Sequence, residues 1–238
     1  MKHIYVILLV VGLSNCVTNI DQPGDLDDSV KYFEKSLSTK EKNDFKKLPE
    51  EKAVSSIHFS TGLWIRNNWI RGNKNPDLVN YFDKQGINHP DDISSIILTS
   101  LHRKLNNKDI DLNGQISLYK SYWKPILECM ENEKKIAVEN YNRFKIDSKI
   151  KIEMKVDNSG GERNAVIINC PNNNWTFNPD NDLMIDGIIK EKYFINDSSN
   201  VFFKVKIEHM NFNKTRILMK NVEIGDIFNF SLKGLSIK

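Results

Sequence analysis

Cysteine is scarce in this chain. The three present, Cys16, Cys129 and Cys170, form no Cys-x-x-Cys pair, and no histidine stands near them at zinc-ligand spacing. A disulfide-dense scaffold and a zinc-finger module are excluded, and no metal or cofactor is expected. Long apolar runs are also missing: the longest is at the N-terminus and falls well short of the about 20 residues that cross a bilayer. The sequence has no Gly-x-Ser-x-Gly elbow, no phosphate-binding glycine loop and no His-Glu-x-x-His. Ser94-Ser95 falls inside a predicted helix, a poor place for a nucleophile. Charge of one sign is lacking too. Lys plus Arg is 34 against 31 for Asp plus Glu, a net +3, or +2 once Lys2 leaves with a signal. That balance argues against a nucleic-acid partner, which would require a concentrated basic face.

What is present begins at the N-terminus. Met1-Lys2-His3 precedes an apolar run from Ile4 to Leu13 and then Ser14-Asn15-Cys16. A basic start with a short apolar core reads as an export signal over residues 1–15. Leu13-Ser14-Asn15-Cys16 resembles a bacterial lipobox, whose cysteine is acylated. Asn15 departs from that pattern, and a cut after Ser14 by ordinary signal peptidase is the competing reading. Residues 16–28 hold Pro23, Gly24 and several aspartates without apolar period, as expected of a tether. The expectation is a lipid-anchored envelope protein attached at Cys16, its membrane contact made by acyl chains.

The remaining chain changes period. Over residues 29–145 apolar residues recur at three and four, predicting an all-helical domain. Its helices start at Asp27-Asp28, after Ser38, near His58, at Pro76, at Pro90 and near Ile116, with Gly86 a left-handed stop and Pro125 a kink or fresh start. From Lys149 the period becomes two, with Ile150, Ile152, Met154 and Val156 alternating with Lys149, Lys151, Glu153 and Lys155. Further strands are predicted at 165–169, 183–189, 201–210, 216–223 and 227–232. Residues 146–238 therefore read as a small antiparallel β-sandwich or open barrel, and the whole chain as α+β. Cys129 and Cys170 could pair in an oxidising compartment. They lie in segments assigned to different domains, so buried free thiols are the expectation.

One stretch carries dense aromatic and polar patterning: His58-Phe59-Ser60-Thr61-Gly62-Leu63-Trp64-Ile65-Arg66-Asn67-Asn68-Trp69, then Gly86-Ile87-Asn88-His89-Pro90-Asp91-Asp92, then Leu101-His102-Arg103. It resembles a bacterial family catalogued as a domain of unknown function, over roughly residues 33–122. The resemblance implies a helical fold and supplies no activity. Asn88 or His89, Pro90, Asp91 and Asp92 suit a helix start, with the carboxylates at the positive end of the macrodipole. Asp91 and His102 sit about 16 Å apart along one helix, too far to share an ion. Arg66 can pair with Asp91 or Asp92 if their helices pack, and His102 reads as a packing or capping residue. Candidate ligand-binding residues are Arg66, Asn68, Trp69, His89, Asp91, Asp92, His102 and Arg103. Of these, Arg66, Asn68, His89 and Asp92 would form a polar recess roofed by Trp64 or Trp69, suited to a small polar or glycan-like ligand.

Two functions of different class follow. One is a non-enzymatic envelope module that binds a protein or glycan partner. The alternative is an envelope enzyme of hydrolase type using Arg66, His89, Asp91, Asp92 and His102.

Overall fold

The structure, a computed structural model, describes residues 22–171, 174–213 and 215–238. The export signal, Cys16 and Asn172-Asn173 lie outside the described residues. The chain forms two compact units, one reaching Tyr122 and the other starting at Trp123. An N-terminal helical region precedes a curled mixed sheet that forms a half-barrel, so the fold is α+β.

In the first unit α1 (Leu26–Ser36) begins where Asp25 accepts from the Asp28 amide at 2.9 Å. Residues 26–28, assigned to the tether from sequence, are therefore its first turn. Helix α2 (Thr39–Lys47) opens with a reciprocal Ser38–Glu41 capping box. A helix not expected from sequence follows Pro49: α3 (Glu50–Ser56), whose seven residues bury only Ala53 and so carry no readable period.

The stretch around Arg66 is not one regular helix. A π-helical turn at His58–Gly62 leads through α4 (Leu63–Ile65) into a second π-turn at Arg66–Ile70, then a 3-10 turn at Arg71–Asn73. π-Turns cost hydrogen-bond geometry and recur at functional sites. Helix α5 (Pro76–Asp83) is capped by Asn75 and stops before Gly86, whose φ is +73°. Helix α6 (Pro90–Leu105) runs through the centre, burying Ile93, Ile96, Ile97, Leu98 and Leu101. Each such side chain contributes about 2 kcal/mol of transfer free energy. Helix α7 (Leu112–Arg143) carries Pro125 within it and crosses the division between units.

In the second unit the sheet order is β6-β5-β2-β1-β3-β4-β7, with β8 also on β1. The long strands are β1 (Lys149–Asp157), β3 (Leu183–Phe194) and β4 (Val201–Met210); β7 (Ile227–Ser231) pairs antiparallel to β4. The short strand β2 (Asn164–Val166) runs antiparallel to β1 and parallel to β5 (Arg216–Ile217), which makes the sheet mixed. The single strand expected over 216–223 is a hairpin of β5 and β6 (Lys220–Asn221). Leu218 and Met219 take φ of +49° and +67° at its turn, which no Gly or Asn signalled. Glu153, expected on the solvent face of β1, is buried because β8 (Ser236–Ile237) covers it and Lys238 Nζ meets its carboxylate at 2.6 Å.

Ala137, Tyr141 and Phe144 pack into the same core as the sheet, so the second half of α7 is part of the β unit. Lys192 donates to the carbonyls of Tyr141 and Phe144 at that helix end, and burial pushes its pKa down. The two thiols expected to be free are paired. Cys129 and Cys170 are joined by a disulfide, with Cα atoms 5.7 Å apart, because α7 carries Cys129 into the β unit.

Candidate functional site

Asp91 is the centre of a polar cluster in the helical unit. It occupies the first turn of α6, where His89 caps the helix by accepting from the Asp91 amide at 3.3 Å. Its Oδ1 lies 2.9 Å from Arg66 Nε and 3.8 Å from His58 Nε2, and its Oδ2 lies 3.8 Å from His89 Nδ1. One carboxylate thus has an imidazole beside each oxygen and a guanidinium behind it. Both histidines and Asp91 are partly exposed, whereas the Arg66 side chain is 3 % exposed.

The two π-turns position this cluster. Arg66 NH2 donates to the His58 carbonyl at 3.1 Å and NH1 donates to Ser94 Oγ at 3.0 Å. Arg66 Nε approaches Asp91 off-line, so the contact is ionic and this N–H has no hydrogen-bond partner among the described residues. Burial pushes the Arg66 pKa down from its ordinary value, and the Asp91 charge opposes that. Gly62 leaves room for the guanidinium: a Cβ there would stand 3.1 Å from NH1. Ser94 also donates to the Asp91 carbonyl at 3.0 Å, which ties the arginine to the first turn of α6.

Beside the cluster is a cavity of about 700 Å³ whose wall includes His58, Phe59, Ser95, Arg103 and Tyr119. Phe59 is 83 % exposed and Leu118 68 %, two large apolar side chains at its edge. Tyr119 is half-buried and bonded to Ser95, and desolvation pushes its phenol up. Glu50 and Arg103 contribute a bidentate pair, with Nε and NH2 3.0 and 2.9 Å from the two carboxylate oxygens. The Arg103 guanidinium holds the Glu50 carboxyl below its usual range. Arg103 NH1 also donates to the Ile110 carbonyl at 2.8 Å.

The structure brings Arg66, His89 and Asp91 together and disperses the other candidates. The Arg66–Asp91 ion pair is one of the two the sequence allowed, Asp92 being the other. His102 is buried, its Nε2 3.0 Å from the Leu48 carbonyl, its Nδ1 3.8 Å from Glu50, and its ring edge-on to Phe45. It is a packing residue between α6 and the segment joining α2 to α3. Arg103 belongs with Glu50. Asp92 is buried near Tyr119. Asn68 is exposed and donates to the Trp64 carbonyl at 2.9 Å. Trp69 is buried among Tyr32, Phe33 and Trp64. No indole-roofed recess gathers Arg66, Asn68, His89 and Asp92: Trp69 is part of the aromatic core, Asn68 faces solvent and Asp92 is buried near Tyr119.

Sequence reasoning missed two residues. His58 opens the aromatic segment and could have been found from its place there. Glu50 starts a helix too short to detect and carries no signal.

Residues 22–105 match the model of a family described as a domain of unknown function (DUF6794). The match ends at the last residue of α6, so the Gln115, Leu118 and Tyr119 wall of the cavity lies beyond it. No curated protein and no solved structure matches the chain.

Proposed function

We propose that the helical unit is a hydrolase-like enzyme in which His58 is the general base, Asp91 orients it, and the adjoining cavity holds the substrate. The observation that carries this reading is the joint position of His58, in the cavity wall and 3.8 Å from the Asp91 carboxylate. A base needs a partner that fixes its ring and stabilises the imidazolium formed on taking a proton, and a carboxylate supplies both. At 3.8 Å the two groups are just beyond hydrogen-bond distance, and catalytic contacts that are long in the free enzyme tighten in the substrate complex. Arg66 is too buried to touch substrate and acts as a positioning residue for Asp91. His89 flanks the second oxygen while its Nδ1 caps α6.

General-base catalysis of this kind is worth about 10²–10⁴ in rate. The test is hydrolysis of p-nitrophenyl acetate, p-nitrophenyl phosphate and p-nitrophenyl N-acetylglucosaminide by the purified chain. One of them is turned over, and His58→Gln lowers that turnover about 100-fold or more while leaving the fold intact. Turnover of none, or turnover indifferent to His58, refutes the proposal.

A second reading is favoured by exposed Phe59 and Leu118 at the cavity edge. There the cavity binds a glycan or protein partner without chemistry. It predicts saturable ligand binding that survives His58→Gln.

For location, we propose export and lipid attachment through Cys16, supported by the Leu13-Ser14-Asn15-Cys16 string and by the Cys129–Cys170 disulfide, which fits an oxidising compartment. No helix among the described residues is long and apolar enough to cross a membrane. A Cys16→Ser variant that still partitions with membranes would refute the anchor.

A further inference from the structure

We infer that Cys129, Glu133 and Cys170 form a redox-gated site for a soft divalent cation, closed as the disulfide and opened by a dithiol reductant. The site lies in the β unit and is independent of the hydrolase reading.

Cys129 and Glu133 are one turn apart on α7 and share a face. Cys170, from the segment after β2, completes a triad whose ligand atoms all lie within 4.8 Å of one another. All three residues are half-buried. The half-buried Glu133 carboxylate has no hydrogen bond or ion pair with another described residue. It also lines a small cavity of about 170 Å³ with Ile136, Ile168 and Trp175, which leaves room for a water as a fourth ligand. Two thiolates and a carboxylate are a zinc-type donor set, with metal–sulfur bonds of about 2.3 Å and metal–oxygen bonds of about 2.0–2.2 Å. Tetrahedral angles at those lengths place the sulfurs about 3.8 Å apart, so breaking the S–S bond is the movement the site requires.

The chemistry balances. One thiolate of the dithiol attacks a protein sulfur and forms a mixed disulfide, and its second thiol displaces the remaining protein sulfur. Two electrons pass from the dithiol to the protein; the products are two cysteine thiols and the oxidised, cyclic reductant. Cation binding then releases one proton from each thiol, and Glu133 enters as its carboxylate. The triad escaped the sequence rules because one ligand is acidic and the cysteines are 41 residues apart.

The experiment uses the full chain carrying Cys16→Ser, so that only the two thiols of interest remain. The protein is reduced with a phosphine under anaerobic conditions and titrated with Co²⁺, then Zn²⁺. One equivalent of Co²⁺ produces a thiolate-to-metal charge-transfer band, and one equivalent of Zn²⁺ abolishes it. The oxidised protein gives no band, Cys129→Ser and Cys170→Ser remove it, and Glu133→Gln weakens Co²⁺ binding by about tenfold or more. Far-UV circular dichroism is followed in parallel. If reduction unfolds the β unit, Zn²⁺ restores the spectrum. A reduced protein without the band, Glu133→Gln binding as tightly as the parent, or a reduced and unfolded protein that Zn²⁺ fails to restore would each overturn the inference.

Discussion

Replacing Glu50 by Gln isolates what the Glu50–Arg103 pair contributes to the helical unit. The substitution preserves shape and removes one charge. Glutamine can keep one of the two bonds, at 3.0 and 2.9 Å, and presents an amide NH₂ to the guanidinium in place of the other. The side chains are 31 % and 22 % exposed. Exposed pairs are worth about 0.2–1 kcal/mol, and removing one partner of a fully buried pair costs about 3–5 kcal/mol. A pair between those limits, discounted for solvent screening, implies a loss of about 2 kcal/mol. For a unit of this size the midpoint temperature falls by about 10 °C.

The pH dependence fixes the cause. Arg103 depresses the folded-state pKa of Glu50, so the pair's stabilisation is complete above the ordinary glutamate range, about 4.3, and is lost as pH falls through the depressed value. The difference between parent and Glu50→Gln is therefore full at pH 7 and vanishes in stronger acid. The assay is urea unfolding followed by Trp64 and Trp69 fluorescence in a Trp123→Phe, Trp175→Phe background, with exposed Glu51→Gln as control. A difference below about 0.5 kcal/mol at pH 7, within the range of ordinary surface substitutions, or one that persists unchanged in acid, would refute the reasoning.

Other substitutions probe other parts of the account. Gly187→Ala should destabilise the β unit by about 1–3 kcal/mol in urea unfolding, because a Cβ would stand 2.5 Å from Val205 and 2.8 Å from the Lys206 carbonyl; an unchanged midpoint contradicts the close approach. Arg66→Lys keeps the charge but loses the forked contact to Ser94 and the His58 carbonyl, and should cost about 2 kcal/mol in the helical unit; a neutral result would show that Asp91 needs only a point charge. Reducing the disulfide, without added metal, should lower the stability of the β unit by about 2–4 kcal/mol, since it closes a loop across a separation of 41 residues; retention of full stability contradicts that.

The sequence revealed the two-part architecture because each part has its own period: α6 carries Ile93, Ile96, Ile97 and Leu101 at helical spacing, and β1 alternates Ile150, Ile152 and Met154 with polar residues. The start of α6 was legible from Pro90 at the first position and the two aspartates behind it, while the choice of His89 over Asn88 as cap and of Asp91 over Asp92 as partner of Arg66 came from the structure. The two π-turns were not legible. Their altered backbone hydrogen bonding leaves no trace in the side-chain pattern, which keeps Ile65 with Trp69 and Gly62 with Arg66 on buried faces at ordinary helical spacing. The disulfide was hidden for a different reason: α7 continues without a break in composition from one unit into the other, and no local pattern marks where its partners change. The β5–β6 hairpin lacks the Gly or Asn that would announce its left-handed turn.

A double-mutant cycle on His58 and Asp91 tests the proposed function most directly. Turnover of the best p-nitrophenyl substrate is compared for the parent, His58→Gln, Asp91→Asn and the double variant. A base and its orienting carboxylate act as a unit, so each single change should cost about 100-fold or more and the double variant should be no slower than the worse single. Losses that multiply, or single variants that turn over substrate at the parental rate, would contradict the assignment of His58 and Asp91 as one catalytic couple.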